Sequence, residues 1–350
     1  MSAVKQRVTI IGSGNWGSSI ARVCAQNVKK FPDIFEPEVR MWVYEEKIDG
    51  RNLTEIINEK HENVKYLPGI SLGDNVRAIP DVCQAAKNAN ILVFVLPHQF
   101  VYKVCESLRD VIDKDCRAIS LIKGLDYKNN NLLIFSEEIE KILGVNCAAL
   151  SGANIASEVA EEKFGETTIA CKDPKDGEIF VKLFHTDYFD VNVIGDWRGL
   201  QVCGALKNVV ALGAGISDGL NYGNNTKAAI IRRGLLEMRK FGKTFFGGVH
   251  TETFFESCGV ADLITTCSGG RNRKVAAAFI SSGKTIDEIE KEMLNGQKLQ
   301  GTTTSQEVYH FLSARNMTQE FPLLTAIYRV IYEKAPPESI ALDLRTRLNE

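Results

Sequence analysis

The chain has no cysteine pair at C-x-x-C spacing, and its nine cysteines are an odd number. A disulfide frame is therefore not expected, and reduced, mostly buried thiols are. No metal site is expected either. Charge of one sign is also lacking: 42 basic residues against 44 acidic ones leave a net charge of −2. No global basic field points to nucleic acid, although a local cluster of cations can still hold a small anion. No apolar run is expected to approach the roughly 20 residues of a membrane span, so no membrane partner is expected. The opening MSAVKQRV has no apolar h-region and no Arg/Ser-rich leader, and the closing RLNE matches no retention or peroxisomal address. A cytoplasmic protein is the expectation. Internal repeats and low-complexity tracts are absent too.

What is present is enough chain for two domains, 350 residues with 44% hydrophobic and 25% charged. Strand-like runs are VTII (8–11), VRMWVYE (39–45), VRAI (76–79), ILVFVL (91–96), CRAISLI (116–122), CAAL (147–150), ETTIAC (166–171) and FDVNVI (189–194). Helix-like segments separate them. Short apolar, β-branched runs alternating with helices predict an α/β, doubly wound, mostly parallel sheet. After about residue 195 the pattern becomes helical. The expected organisation is a Rossmann-like, doubly wound domain over 1–194, then an all-α domain over 195–350; the motifs below give the first to NAD binding and the second to substrate binding and catalysis.

The first strand runs into Gly12-Ser13-Gly14-Asn15-Trp16-Gly17. G-x-G-x-x-G alone arises by chance in glycine-rich loops, but here a strand precedes it and an amphipathic helix begins inside it. In that setting Gly12 permits the tight turn, Gly14 lets a pyrophosphate approach, and Gly17 lets helix and sheet pack closely. N–H groups at the helix start would bind the phosphates. The next strand ends at Tyr44, Glu45 and Glu46. A carboxylate there would accept from ribose hydroxyls and repel a 2′-phosphate, favouring NAD over NADP. Glu45 follows Gly17 by 28 positions, where roughly 20 is usual; the insertion KKFPDIFEPE accounts for the difference.

Ligands of an open α/β sheet sit beyond the carboxyl ends of its strands. The segments there are Pro97-His98-Gln99-Phe100, Lys123-Gly124 and Ser151 to Glu158, expected to line one crevice. Phe100 would pack on the nicotinamide or the adenosine edge. Lys123 is either a crevice cation or a solvated loop lysine. Lys207 stands in the otherwise uncharged VCGALKNVVALGAG. It is either a snorkelling lysine or a buried one whose lowered pKa suits proton transfer near neutral pH. Asn208 beside it can donate to a hydroxyl or carbonyl. Gly269 to Lys274, GGRNRK, sets three cations beside two glycines at a helix start. That is an anion site in form, or a solvated basic turn. Asp262 and Thr266 upstream would orient Lys207 or the substrate hydroxyls. NGQKLQGTTT (295–304) reads as a mobile loop whose Lys298 and Gln300 close over the cofactor.

Taken together, GSGNWGSSIA, HENVKYLPG, LPHQF, SLIKG, GANIASEVA, CGALKNVVALGAGISDGL, NTKAAIIRRGL, ESCGVADLITTCSGGRNRK and NGQKLQG resemble the cytosolic NAD-dependent glycerol-3-phosphate dehydrogenases across residues 8 to 301. The resemblance implies interconversion of dihydroxyacetone phosphate and sn-glycerol 3-phosphate with NAD as cofactor, joining glycolysis to glycerolipid synthesis and reoxidising cytosolic NADH. It implies that the Gly12–Gly17 loop, Tyr44, Phe100, Ala156, Arg271, Lys298 and Gln300 contact NAD. Lys207 would be the proton donor and acceptor, and Lys123 would bind substrate. Arg271 and Asn272 would take the substrate phosphate. Asn208, Asp262 and Thr266 would complete the pocket. The partner is then a phosphorylated triose, and a homodimer is expected, to which small-residue helices and exposed apolar stretches such as FPLLTAIYRVIY also point. The alternatives are a related NAD(P)-dependent hydroxyacid dehydrogenase and a non-catalytic NAD-sensing protein.

Overall fold

The computed structural model describes residues 5–294 and 299–343. The chain forms two compact units. The first takes the chain up to Ile122 together with Phe135–Trp197; the second takes Lys123–Ile134 and the chain from Arg198 on. The excursion Lys123–Ile134 carries Lys123 into the second unit.

Eight strands build the first unit: β1 (Gln6–Ile11), β2 (Phe35–Trp42), β3 (Val76–Ile79), β4 (Ile91–Phe94), β5 (Arg117–Ser120), β6 (Cys147–Ser151), β7 (Gly165–Ala170) and β8 (Phe189–Ile194). They lie in one sheet in the order β8-β7-β6-β5-β4-β1-β2-β3. Every neighbouring pair is parallel except β6 with β7. All eight expected strands form. Alternate residues feed opposite faces: Val8, Ile10 and Val93 enter one apolar cluster, and Ile11, Leu92 and Phe94 enter another. With both faces covered, β4 is apolar throughout, which is why its sequence does not alternate. The strand order reverses between β1 and β4, which pair Ile11 with Phe94. That reversal creates a switch point beyond their carboxyl ends. Helix α1 (Asn15–Lys30) starts there, buries Ile20, Val23, Cys24 and Val28, and ends on Lys29 and Lys30, cations suited to a helix C-terminus.

The second unit is helical apart from the hairpin Asp126–Lys128 with Asn131–Leu133, whose three-residue strands escape a sequence reading. Its core helix is α2 (Trp197–Gly219). By length and composition α2 could cross a membrane, which corrects the expectation that no run is that long. Its most apolar window is wholly buried in the protein, because a helix surrounded by helices is apolar all round. Around it stand α3 (Gly223–Phe245), α4 (Asp262–Gly269), α5 (Arg271–Ser282), α6 (Gln300–Ser313) and α7 (Pro322–Tyr332). The stretch FPLLTAIYRVIY, expected to be exposed, is largely buried in α7. Buried Glu237 of α3 accepts the Leu323 and Leu324 N–H groups at 2.9 and 3.1 Å, satisfying donors that a helix start leaves over.

All nine cysteines are free, and only Cys83 is not buried. Burial pushes the Cys105 and Cys267 thiols up to about 12, so they stay protonated and inert at neutral pH.

Candidate active site

In the first unit, the loop from Gly12 to Gly17 is shaped by steric demands. Gly12 has φ +123°, and a Cβ there would lie 2.6 Å from the Val95 carbonyl oxygen on the neighbouring strand end. A Cβ on Gly17 would lie 2.4 Å from the Gly12 oxygen. Around Gly14, by contrast, nothing lies within 4 Å of a built Cβ, so its outer side is open to a ligand. Gly14 is also the N-cap of α1 and provides no side-chain cap, and the first turn carries no acidic residue. The helix start is therefore hospitable to an anion. The loop is pinned from behind. Fully buried Asn63 donates Nδ2 to the Ser13 carbonyl and to Ser18 Oγ, both at 2.9 Å. Ser19 Oγ donates to the Ala156 carbonyl at 2.8 Å, tying Ala156 to α1. The Trp16 ring packs edge-on against Phe189, 6.2 Å between centroids. Asn15 is exposed. Tyr44 and Phe100 are 73% and 48% exposed.

The two carboxylates after β2 do not stand as expected. Glu45 accepts from the Thr54 N–H at 3.2 Å and Thr54 Oγ1 at 2.6 Å, and so anchors the next helix. Glu46 is held by Lys65 and by the Tyr66 hydroxyl at 2.8 Å. Both carboxylates already accept from side chains of the fold, which leaves each with fewer lone pairs for a ribose hydroxyl.

In the second unit, Lys207 of α2 is 5% exposed. Its ammonium donates to Asp262 Oδ1 and, at 3.0 Å, to Thr266 Oγ1. Lys123 donates to the other oxygen, Asp262 Oδ2, at 2.9 Å. One buried carboxylate thus holds two ammonium groups. Asp262 opens α4 directly after a turn of π-helix, Ser257–Ala261, and the extra residue in that turn resets the helical phase. Burial pushes Lys207 down to about 7; Lys123 pushes the same way and Asp262 pulls back. Burial alone would raise Asp262, but the Lys123 and Lys207 charges outweigh it and hold the carboxyl below its ordinary value. The snorkelling alternative for Lys207 is excluded by this burial.

At the start of α5, Gly270 is the N-cap without a side-chain cap, and no acidic residue occupies the first turn. Arg271 is exposed and Asn272 buried. Asn272 Nδ2 donates to Asn208 Oδ1 at 3.0 Å. The three cations of GGRNRK do not act together. Arg273 Nε donates to Asp218, which also takes Lys227 at 2.9 Å, so Arg273 braces α5 against α2 and α3. Gln300 opens α6 and is half-buried. Lys298 lies outside the described residues.

Comparison with known proteins gives the family. The description "NAD-dependent glycerol-3-phosphate dehydrogenase N-terminus" matches residues 7–176, and the corresponding C-terminus matches residues 196–342. The chain belongs to the NAD-dependent glycerol-3-phosphate dehydrogenase family. It is 56% identical over 332 residues to the cytoplasmic glycerol-3-phosphate dehydrogenase [NAD(+)] of Rattus norvegicus, covering 95% of each chain. To the human cytoplasmic enzyme it is 55% identical, again with 95% of each covered. Among solved structures, the glycerol-3-phosphate dehydrogenase of Saccharomyces cerevisiae matches with TM-score 0.93 and 48% identity, covering 98% of this chain and 100% of that one.

Glycerol-3-phosphate dehydrogenases of this family interconvert dihydroxyacetone phosphate and sn-glycerol 3-phosphate with NAD. The hydroxyacid-dehydrogenase and NAD-sensing alternatives fall away with that assignment. The residues fit the cofactor: an open Gly14, a strained Gly12 that only glycine tolerates, and an uncapped helix start are what a dinucleotide pyrophosphate needs. Two residues beside the candidate site were not singled out from the sequence, Asn63 behind the glycine loop and Gly301 next to Asn272. A built Cβ on Gly301 would lie 2.6 Å from both Asn208 O and Asn272 Oδ1. The only hint of either is its place in the quoted motifs HENVKYLPG and NGQKLQG.

Proposed function

We propose that Lys207 donates the proton when dihydroxyacetone phosphate is reduced and accepts it in the reverse reaction. The observation that carries this is one arrangement: a buried ammonium lowered to about 7, fixed by Asp262 and Thr266. Bound NADH supplies the hydride. Lys207, with Lys123 and Asn208, stabilises negative charge on the carbonyl oxygen, and Lys207 delivers the proton there. Asp262 and Thr266 aim the ammonium. Arg271 and Asn272 hold the substrate phosphate, so that binding energy remote from the reacting carbon orients the carbonyl. Gly12, Ser13, Gly14, Asn15, Trp16, Gly17, Tyr44, Phe100 and Ala156 hold NAD in the first unit, and Arg271, Lys298 and Gln300 serve it from the second. The organisation is thus an NAD-binding unit and a helical substrate unit. The triose phosphate is the partner, with neither nucleic acid nor membrane, and the product feeds glycerolipid synthesis. A homodimer remains part of the proposal. Since FPLLTAIYRVIY is buried, its support is now exposed Phe255 and Ile264, at 70% and 50%.

Turnover against pH tests the proton role. Reduction needs protonated Lys207, so kcat should fall as pH rises through about 7; oxidation of glycerol 3-phosphate needs the neutral amine and should rise over the same interval. Lys123→Ala removes a like charge and should move both midpoints upward. Midpoints that stay put or move down contradict the scheme. The phosphate role is tested by Arg271→Ala. At saturating NADH it should lower kcat/KM for dihydroxyacetone phosphate by about 10- to 100-fold, the worth of a charge-assisted hydrogen bond, and lower the slow reduction of unphosphorylated dihydroxyacetone far less. Equal losses for the two substrates would refute it.

A further inference from the structure

Three hydrogen bonds run in series through the second unit and end on a backbone N–H. Gly301 N–H donates to Asn272 Oδ1 at 3.0 Å, Asn272 Nδ2 donates to Asn208 Oδ1 at 3.0 Å, and Asn208 Nδ2 donates to the Gly204 carbonyl at 3.4 Å. Both asparagines are buried. A side-chain amide has nearly the same shape either way round, so its direction follows from what surrounds it. A backbone N–H can only donate, and it therefore demands the oxygen of Asn272. That turns the Asn272 amino group toward Asn208, which must answer with its own oxygen. Reversing either amide would set donor against donor, and reversing Asn208 would also set its oxygen against the Gly204 carbonyl. Such mismatches are costly away from water.

We infer that Gly301 is a positioning residue for the reaction: its backbone N–H sets the direction of the Asn272–Asn208 relay and keeps the Asn208 amino group available as the donor to the substrate oxygen. The inference rests on the role proposed for Asn208. It also explains why glycine stands at 301. A Cβ would sit 2.6 Å from Asn272 Oδ1 and 2.6 Å from the Asn208 carbonyl oxygen, pushing α6 off the relay. Gly301 itself does not touch the substrate in this scheme; it acts through two side chains.

A double-mutant cycle tests the inference. Gly301→Ala should lower kcat/KM for dihydroxyacetone phosphate by about 10- to 100-fold, the scale of a misplacement near 1 Å. The Kd for NADH, measured by fluorescence quenching, should weaken by a smaller factor than kcat/KM falls, since the nucleotide loop is in the first unit and only the neighbouring Gln300 contact is disturbed. With Asn272→Ala already in place the relay is cut, and adding Gly301→Ala should cost less than about 5-fold more. The same factor in both backgrounds, or a silent Gly301→Ala, overturns the inference. Asn208→Ala is measured alongside. A silent Asn208→Ala overturns the role of Asn208 itself, whereas a damaging Asn208→Ala with a silent Gly301→Ala overturns only the relay. Should Gly301→Ala fail to fold, Asn272→Asp and Asn272→Ala are compared on unphosphorylated dihydroxyacetone, which has no phosphate for a new charge to repel. The aspartate still accepts from Gly301 but turns an oxygen toward Asn208, forcing that amide over. A larger loss with Asp than with Ala is expected, and an equal or smaller loss overturns the relay.

Discussion

Lys207→Ala is expected to lower kcat by at least about 10²-fold in both directions, with NADH affinity nearly unchanged. The loss follows from what the ammonium does: within the Lys207–Asp262–Lys123 cluster it is the group lowered to about 7, and its removal leaves no comparable proton source on α2. The fold should survive, because Asp262 keeps Lys123 at 2.9 Å and is not left as an unpaired buried charge. Lys207→Arg should not restore turnover, since a guanidinium holds its proton throughout the accessible range. Steady-state kinetics with NADH titrations on both variants make the measurement. Near-normal turnover in Lys207→Ala would remove the assignment.

Asp262→Asn carries the second large effect, and it concerns stability as much as rate. Asp262 is 2% exposed and holds two ammonium groups. Breaking a buried ion pair from one side costs about 3–5 kcal/mol. The sign of its pH dependence follows from Lys207. Already lowered to about 7, that group loses its one attractive neighbour and falls further. Between the folded value and the unfolded one of 10.5, the unfolded chain binds more protons, so stability climbs with pH. Relative to wild type, the deficit is full while Lys207 stays charged in the variant, and it shrinks as pH rises toward the wild-type value. Urea unfolding at about pH 6 and about pH 8.5 should therefore show the larger deficit at the lower pH. Equal deficits at both would count against the shared-carboxylate arrangement.

The sheet was legible because buried parallel strands write themselves as short apolar runs between helices, and β1 to β8 all do so. Lys207 was legible for a related reason: one charge in an apolar helix interrupts an otherwise uniform pattern. What escaped depends on partners distant along the chain. Lys123 and Asp262 are 139 residues apart, and Asn63 and Ser13 are 50 apart. Position after β2 suggested Glu45 for a ribose, but Thr54 claims it. In the same way, Arg273 reads from sequence as a third cation of an anion site, whereas in the fold Asp218 holds it. Local sequence shows which charges exist; it does not show which have been neutralised by neighbours brought in by folding.

The excursion Lys123–Ile134 has a consequence for dissecting the protein. Leu125, Leu132 and Ile134 belong to the apolar core of the helical unit, and Arg315 grips the hairpin through the Asn130 carbonyl at 2.9 Å and Asn131 Oδ1 at 3.1 Å. A fragment ending near residue 195 would contain every strand of the sheet and yet present these three side chains to water. No single cut yields both units whole: a nucleotide-binding fragment needs the excursion replaced by a short polar turn, and a helical fragment needs those twelve residues supplied from elsewhere in the chain.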